Sequence, residues 1–167
     1  MMHIEYLKDL RDYPEQYPMD SEHKFGNRGI PMTEIQALET QFNNSAPFPK
    51  ALRELLFLAG DYCYLFSFGR YNSQQEFQLG QRQLIINANN KLQITRPYYI
   101  IDCTSFGDYF LLVYLDEGDD PIVSEAAVHG TEDQEDDNGT GIRSFDMTLS
   151  EYIKFGVDNV KKGGSFN

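Results

Sequence analysis

The stretch that most constrains this chain is Tyr109-Phe110-Leu111-Leu112-Val113-Tyr114-Leu115, apolar at every position from Phe110 to Val113. Aromatic and β-branched residues in a short run favour a strand, and one with no polar side chain in its middle needs cover on both faces. Tyr98 to Cys103 carries the same signal, and the intervening Thr104-Ser105-Phe106-Gly107-Asp108 has the composition of a hairpin connection. Pro121-Ile122-Val123 begins a further strand after the acidic turn Asp116 to Asp120, and Ile142 to Phe145 adds a short one. Tyr62 to Phe68, aromatic-rich and closed by Gly69, also reads as a strand.

Helices are signalled on either side of these strands. Ile4, Leu7 and Leu10 share a face in a short helix over His3 to Leu10. Thr33-Glu34-Ile35-Gln36 fits a capping box opening a helix from about Glu34 to Phe42. Pro49 starts the next, with Leu52, Leu55, Leu56 and Ala59 at helical spacing and Gly60 as a left-handed cap. Asn43 to Pro47 is short enough to join the two as an αα-hairpin. Thr148-Leu149-Ser150-Glu151 is a second capping box, opening a helix with Tyr152, Ile153, Phe155 and Val160. Gln81 to Leu92 is ambiguous: Leu84, Ile85, Ala88 and Leu92 fit a helix, while Asn87, Asn89 and Asn90 oppose one. Terminal helices around neighbouring strands predict an α+β fold rather than a doubly wound parallel sheet. The 167 residues suit one domain, with a core over about 30–160 and residues 1–31 as helix and arm.

Charge is distributed unevenly. The net charge is −12, yet between Pro97 and Ile142 there are twelve acids and no Lys or Arg, while the rest of the chain carries fourteen of each sign. Such a field repels phosphate backbones and anionic headgroups, which argues against nucleic acid or membrane as a partner and for a basic protein. No apolar run reaches the length of a membrane span, and Met1 to Arg11 lacks a signal-peptide core, so a cytoplasmic location is expected. Cys63 and Cys103 form no C-x-x-C pair and read as reduced, buried thiols, with a disulfide as the alternative.

Sequence signals for catalysis are lacking. His3, His23 and His129 lie in terminal or irregular segments, and no nucleophile elbow, zinc helix or glycine-rich phosphate loop is present. The expectation is therefore a non-enzyme with no cofactor and no metal. The acidic segment Glu132 to Gly139 invites a calcium reading but fails the EF-hand test: aligned on Gly139, its first and last ligand positions are Gln134 and Phe145. It reads as a solvated loop. Among the eleven tyrosines, Tyr62, Tyr64, Tyr71, Tyr98 and Tyr99 are not easily all buried, and tyrosine beside carboxylates suits a protein-binding surface.

The run Phe48-Pro49-Lys50-Ala51-Leu52-Arg53-Glu54-Leu55-Leu56-Phe57-Leu58-Ala59-Gly60, preceded by Ile35-Gln36-Ala37-Leu38-Glu39, resembles the SUKH superfamily of fungal Smi/Knr regulators and bacterial immunity proteins. Gly107-Asp108-Tyr109-Phe110-Leu111 is similar to its strand entry, Pro121-Ile122-Val123 to the following strand, and Ser144-Phe145 with the Leu149 to Phe155 segment to its terminal helix. The likeness runs in order from about Ile30 to Phe155; Asp61 departs from it, standing where a second glycine is common. The resemblance implies a twisted, mostly antiparallel sheet flanked by helices, and no catalytic residues. It also implies a cytoplasmic protein that neutralises a cognate toxin, often a nuclease or deaminase, by stoichiometric binding. An adaptor of the Smi/Knr type is the alternative, with an enzyme or cation-binding module behind it. On the residues themselves, the partner surface is expected at Asp116, Glu117, Asp119, Asp120, Glu132, Asp133, Glu135, Asp136 and Asp137, with Tyr62 and Tyr64 supplying retention.

Overall fold

The apolar run folds as β2 (Tyr109–Tyr114) and is covered on both faces. Alternation sends Leu111 and Val113 into one core and Phe110 and Leu112 into another on the opposite side. These features belong to a computed structural model that describes residues 1–15, 26–88, 92, 94–104, 106–128 and 141–164. β2 lies between β1 (Tyr98–Cys103) and β3 (Ile122–Ala127), and β4 (Ile142–Thr148) completes an antiparallel sheet in sequential order. The larger core is closed by α1 (Lys8–Asp12), α2 (Met32–Phe42), α3 (Lys50–Ala59) and α5 (Leu149–Lys161); the smaller is closed by α4 (Gln74–Asn87) through Phe77. The fold is α+β, an antiparallel sheet flanked by helices. No described helix is long and apolar enough to cross a membrane.

Local signals place several ends correctly. The Thr148–Glu151 capping box forms in full at the start of α5. Others are overruled by neighbours. The first helix is confined to Lys8–Asp12, because the N–H groups of Glu5, Tyr6 and Leu7 donate to the buried Glu54 carboxylate of α3 at 2.7–2.9 Å. α2 begins at Met32 after Pro31, whose carbonyl accepts from Glu34 and Ile35, so the capping box expected at Thr33 does not form. Gly60 is right-handed (φ −72°); what it provides is close approach, since a Cβ there would sit 2.9 Å from Ile30.

Tyr62 to Phe68 is not a strand. Only Tyr62 pairs, in an isolated bridge with Arg28, and the amides of Tyr64 and Ser67 donate to the side chains of Asn27 and Asp102 instead of a ladder. Cys63, Tyr64, Leu65 and Phe66 are all buried in succession.

α4 resolves the ambiguous segment and starts earlier than its apolar residues indicate, with the Ser73 hydroxyl accepting from the Glu76 amide. Its inward face is built largely of glutamines. Gln78 accepts from the amide of Ile100 (3.0 Å) and donates to its carbonyl (2.7 Å), satisfying the outer edge of β1. Gln74 joins the Gly60 carbonyl to the Tyr99 hydroxyl, and Gln81 donates to the Gly107 carbonyl.

Candidate functional site

β1 carries one charged residue, Asp102, and a β-bulge decides where it goes. The register between β1 and β2 slips between Ile100 and Asp102, leaving Ile101 as the extra residue. Simple alternation would put Asp102 on the α4 side with Ile100. The bulge instead sets it opposite Leu111, while Cys103 joins Ile100 in the α4-side core. The same register row continues from Leu111 to Glu125 on β3 and to Arg143 on β4. A row reading Asp102, Leu111, Glu125, Arg143 thus crosses all strands of the sheet.

Over this row lies a cleft of about 500 Å³, with Ser67, Tyr109, Phe145 and Tyr152 among its walls. Phe145, Tyr152 and Phe66 form a parallel stack: 5.6 Å and 1° between the first pair of rings, 6.2 Å and 3° between the second. Asp102 accepts the Ser67 amide at 2.6 Å and has no cationic partner among the described residues. Burial without a counter-ion pushes its carboxyl from 3.8 up to about 7, against the lowering pull of backbone amides. Glu125 differs. Arg143 pairs with it at 2.7 Å, and the same guanidinium lies 5.5 Å from the Phe145 ring centre. The neighbouring Cys103 thiol is pushed up to about 12 by burial and then by Asp102, which leaves it protonated and a weak nucleophile.

The carboxylates expected to bind a partner occupy the β2–β3 turn and hold much of it in place. Arg96 stacks 4.0 Å from the Tyr114 ring centre, donates to Asp116 and Glu117, and holds the Asp116 carboxyl below its ordinary range. Lys50 pairs with Asp119 at 3.1 Å, and the Asp119 carbonyl accepts from Ala51 at the start of α3. Asp120 accepts both the amide and the hydroxyl of Ser150, fastening the turn to α5. Asp116, Glu117 and Asp119 remain exposed.

Tyr64 is not a surface residue: it is buried, and its hydroxyl donates to the Tyr13 carbonyl at 2.7 Å. Tyr99 is wholly buried as well. Tyr62 is half-buried beneath Arg28, and Tyr71 and Tyr98 are also half-buried. Glu132, Asp133, Glu135, Asp136 and Asp137 lie outside the described residues, as do His23 and His129. Cys63 and Cys103 are both buried and free of any disulfide. Among the described residues there is no group of His, Cys, Asp or Glu able to hold a metal ion.

Sequence reasoning passed over Asp102, Glu125, Phe145 and Tyr152 as site residues. A lone carboxylate inside the apolar Tyr98 to Cys103 run is the signal that could have marked the first of them. In comparison with known proteins, no family model, no curated protein and no solved structure matches the chain.

Proposed function

We propose that this chain is a cytoplasmic inhibitor of the immunity-protein type, which neutralises a basic toxin domain by forming a stoichiometric complex with it. The observation that carries the reading is the base-free stretch from Pro97 to Ile142 with its twelve acids. A toxin that acts on nucleic acid presents a cationic groove, and an acidic surface both speeds encounter with that groove and competes with phosphate for it. The resemblance to SUKH immunity proteins, and the α+β architecture that such a resemblance implies, support the same reading.

The experiment is co-expression with the protein encoded next to this gene, read by light scattering after size exclusion and by the toxin's own activity. A 1:1 complex, with activity abolished at equimolar inhibitor and an association rate that falls steeply with salt, is the expected result. A neighbouring protein that forms no complex, or one whose association is indifferent to salt, overturns the proposal.

A further inference from the structure

We propose that the cleft over β1–β3 is the anchor pocket for an arginine side chain of the protein partner, its guanidinium pairing with Asp102 and its stem lying over Leu111 beside Tyr152. This deepens the inhibitor reading and rests on it, since it names the partner's chemistry at one point of contact.

The shape and the charge of the cleft agree on that occupant. About 500 Å³ lies within the range of small-ligand sites and accommodates one long side chain. The floor at Leu111 is apolar, one wall is the parallel stack of Phe145 and Tyr152, and carboxylates stand on either side of Leu111 in the same register row. With neighbouring strands about 4.8 Å apart, Asp102 and Glu125 are separated by roughly 10 Å across the sheet. They therefore act as two separate acceptors and not as a chelating pair.

Glu125 already shows what the surface does with a guanidinium. Arg143 pairs with it and packs its planar group against Phe145. Asp102 has the same aromatic stack nearby but no arginine among the described residues. A half-buried carboxylate lacking a counter-ion gains most from a cation that arrives with its own apolar stem, because part of the acid's desolvation has already occurred in the free protein. Arginine meets this better than lysine: the guanidinium is more weakly hydrated, stacks on rings and presents a fork to a carboxylate.

The test is a titration of ¹⁵N-labelled protein with N-acetyl-arginine methylamide, with the citrulline and lysine counterparts as controls. Arginine is expected to shift the amides of Ser67, Asp102, Cys103 and Tyr152 with millimolar affinity, and both controls to bind at least tenfold more weakly. Asp102→Asn, which keeps an acceptor for the Ser67 amide, is expected to weaken arginine at least tenfold. Equal binding of citrulline or lysine overturns the assignment, as do shifts confined to the β2–β3 turn; these comparisons on the wild-type chain hold whatever the variant does to folding. The two proposals separate cleanly. A tight complex with the toxin that is unchanged by Asp102→Asn overturns the anchor pocket alone. Asp102-dependent arginine binding without any toxin complex supports the pocket and overturns the inhibitor reading.

Discussion

Glu54 is withdrawn from water and Asp102 is half-withdrawn, and they differ in what replaces it. Glu54, 3% exposed, accepts from the amides of Glu5, Tyr6 and Leu7 and so joins the amino-terminal segment to α3. Glu54→Ala would leave those donors without a partner, and a loss of about 3 kcal/mol or more is expected in urea denaturation. Glu54→Gln should cost less, since an amide oxygen can still accept. Asp102 has fewer acceptable partners, and its carboxyl stands at about 7 when folded against 3.8 as an isolated group. The folded state therefore binds more protons than the unfolded state between those values. The sign follows: stability declines as pH rises from about 4 to 7 and is level above, by up to about 1.4 kcal/mol per pH unit from this group. Denaturation at pH 5.5 and pH 8 should show that decline in the wild type and a smaller one in Asp102→Asn.

At the scale of elements, the distinctive piece of construction is the pairing of α4 with the edge of β1. Glutamine on an inward face looks like an error of patterning until Gln78 is seen to accept from and donate to the backbone of Ile100. The side chain takes the place of a missing strand. Gln78→Leu fills the space but leaves both backbone groups dry, and we expect a loss of about 2–4 kcal/mol with faster hydrogen exchange at the Ile100 amide. The exposed Gln83→Ala, on the same helix, should change stability by no more than about 0.5 kcal/mol. The hairpin of β1 and β2, the α2–α3 pair and the capped start of α5 were legible in the sequence, because periodicity and caps operate over a few residues. The helical status of Gln74 to Gly80 was not, because its inward residues are largely polar and the polar partner of Gln78 is a backbone edge more than twenty residues away.

For the whole molecule, the acidic stretch from Pro97 to Ile142 is less free than its formal charge states. Arg96 and Lys50, both outside the base-free stretch, fold back onto Asp116, Glu117 and Asp119. Neutralising Asp116 and Glu117 therefore uncovers Arg96 as well as deleting two acids, and should slow association with a basic partner while costing stability only about 1 kcal/mol or less. Asp120→Ala is a different experiment. It removes both acceptors of Ser150 at the start of α5, and is expected to lower stability by about 1–3 kcal/mol with a smaller effect on the salt dependence of association. Stopped-flow association at two ionic strengths, beside denaturation of each variant, distinguishes the two.

By itself the sequence determined the α+β class, the doubly covered β2, the capped α5 and the confinement of the net negative charge to the stretch from Pro97 to Ile142. Each follows from residues acting on near neighbours or from simple counting. Tertiary structure alone decided that Asp102 faces the cleft, that Tyr64 is buried under the Tyr13 carbonyl, that the first helix waits until Lys8, and that Tyr62 to Phe68 crosses the core without joining the sheet. The physical reason is common to all four. A slipped register, or a carboxylate borrowed from another helix, depends on a group contributed from elsewhere in the chain, and Glu54 stands 47 residues beyond the Leu7 amide it receives. Local pattern carries no record of such a partner until the fold has brought it near.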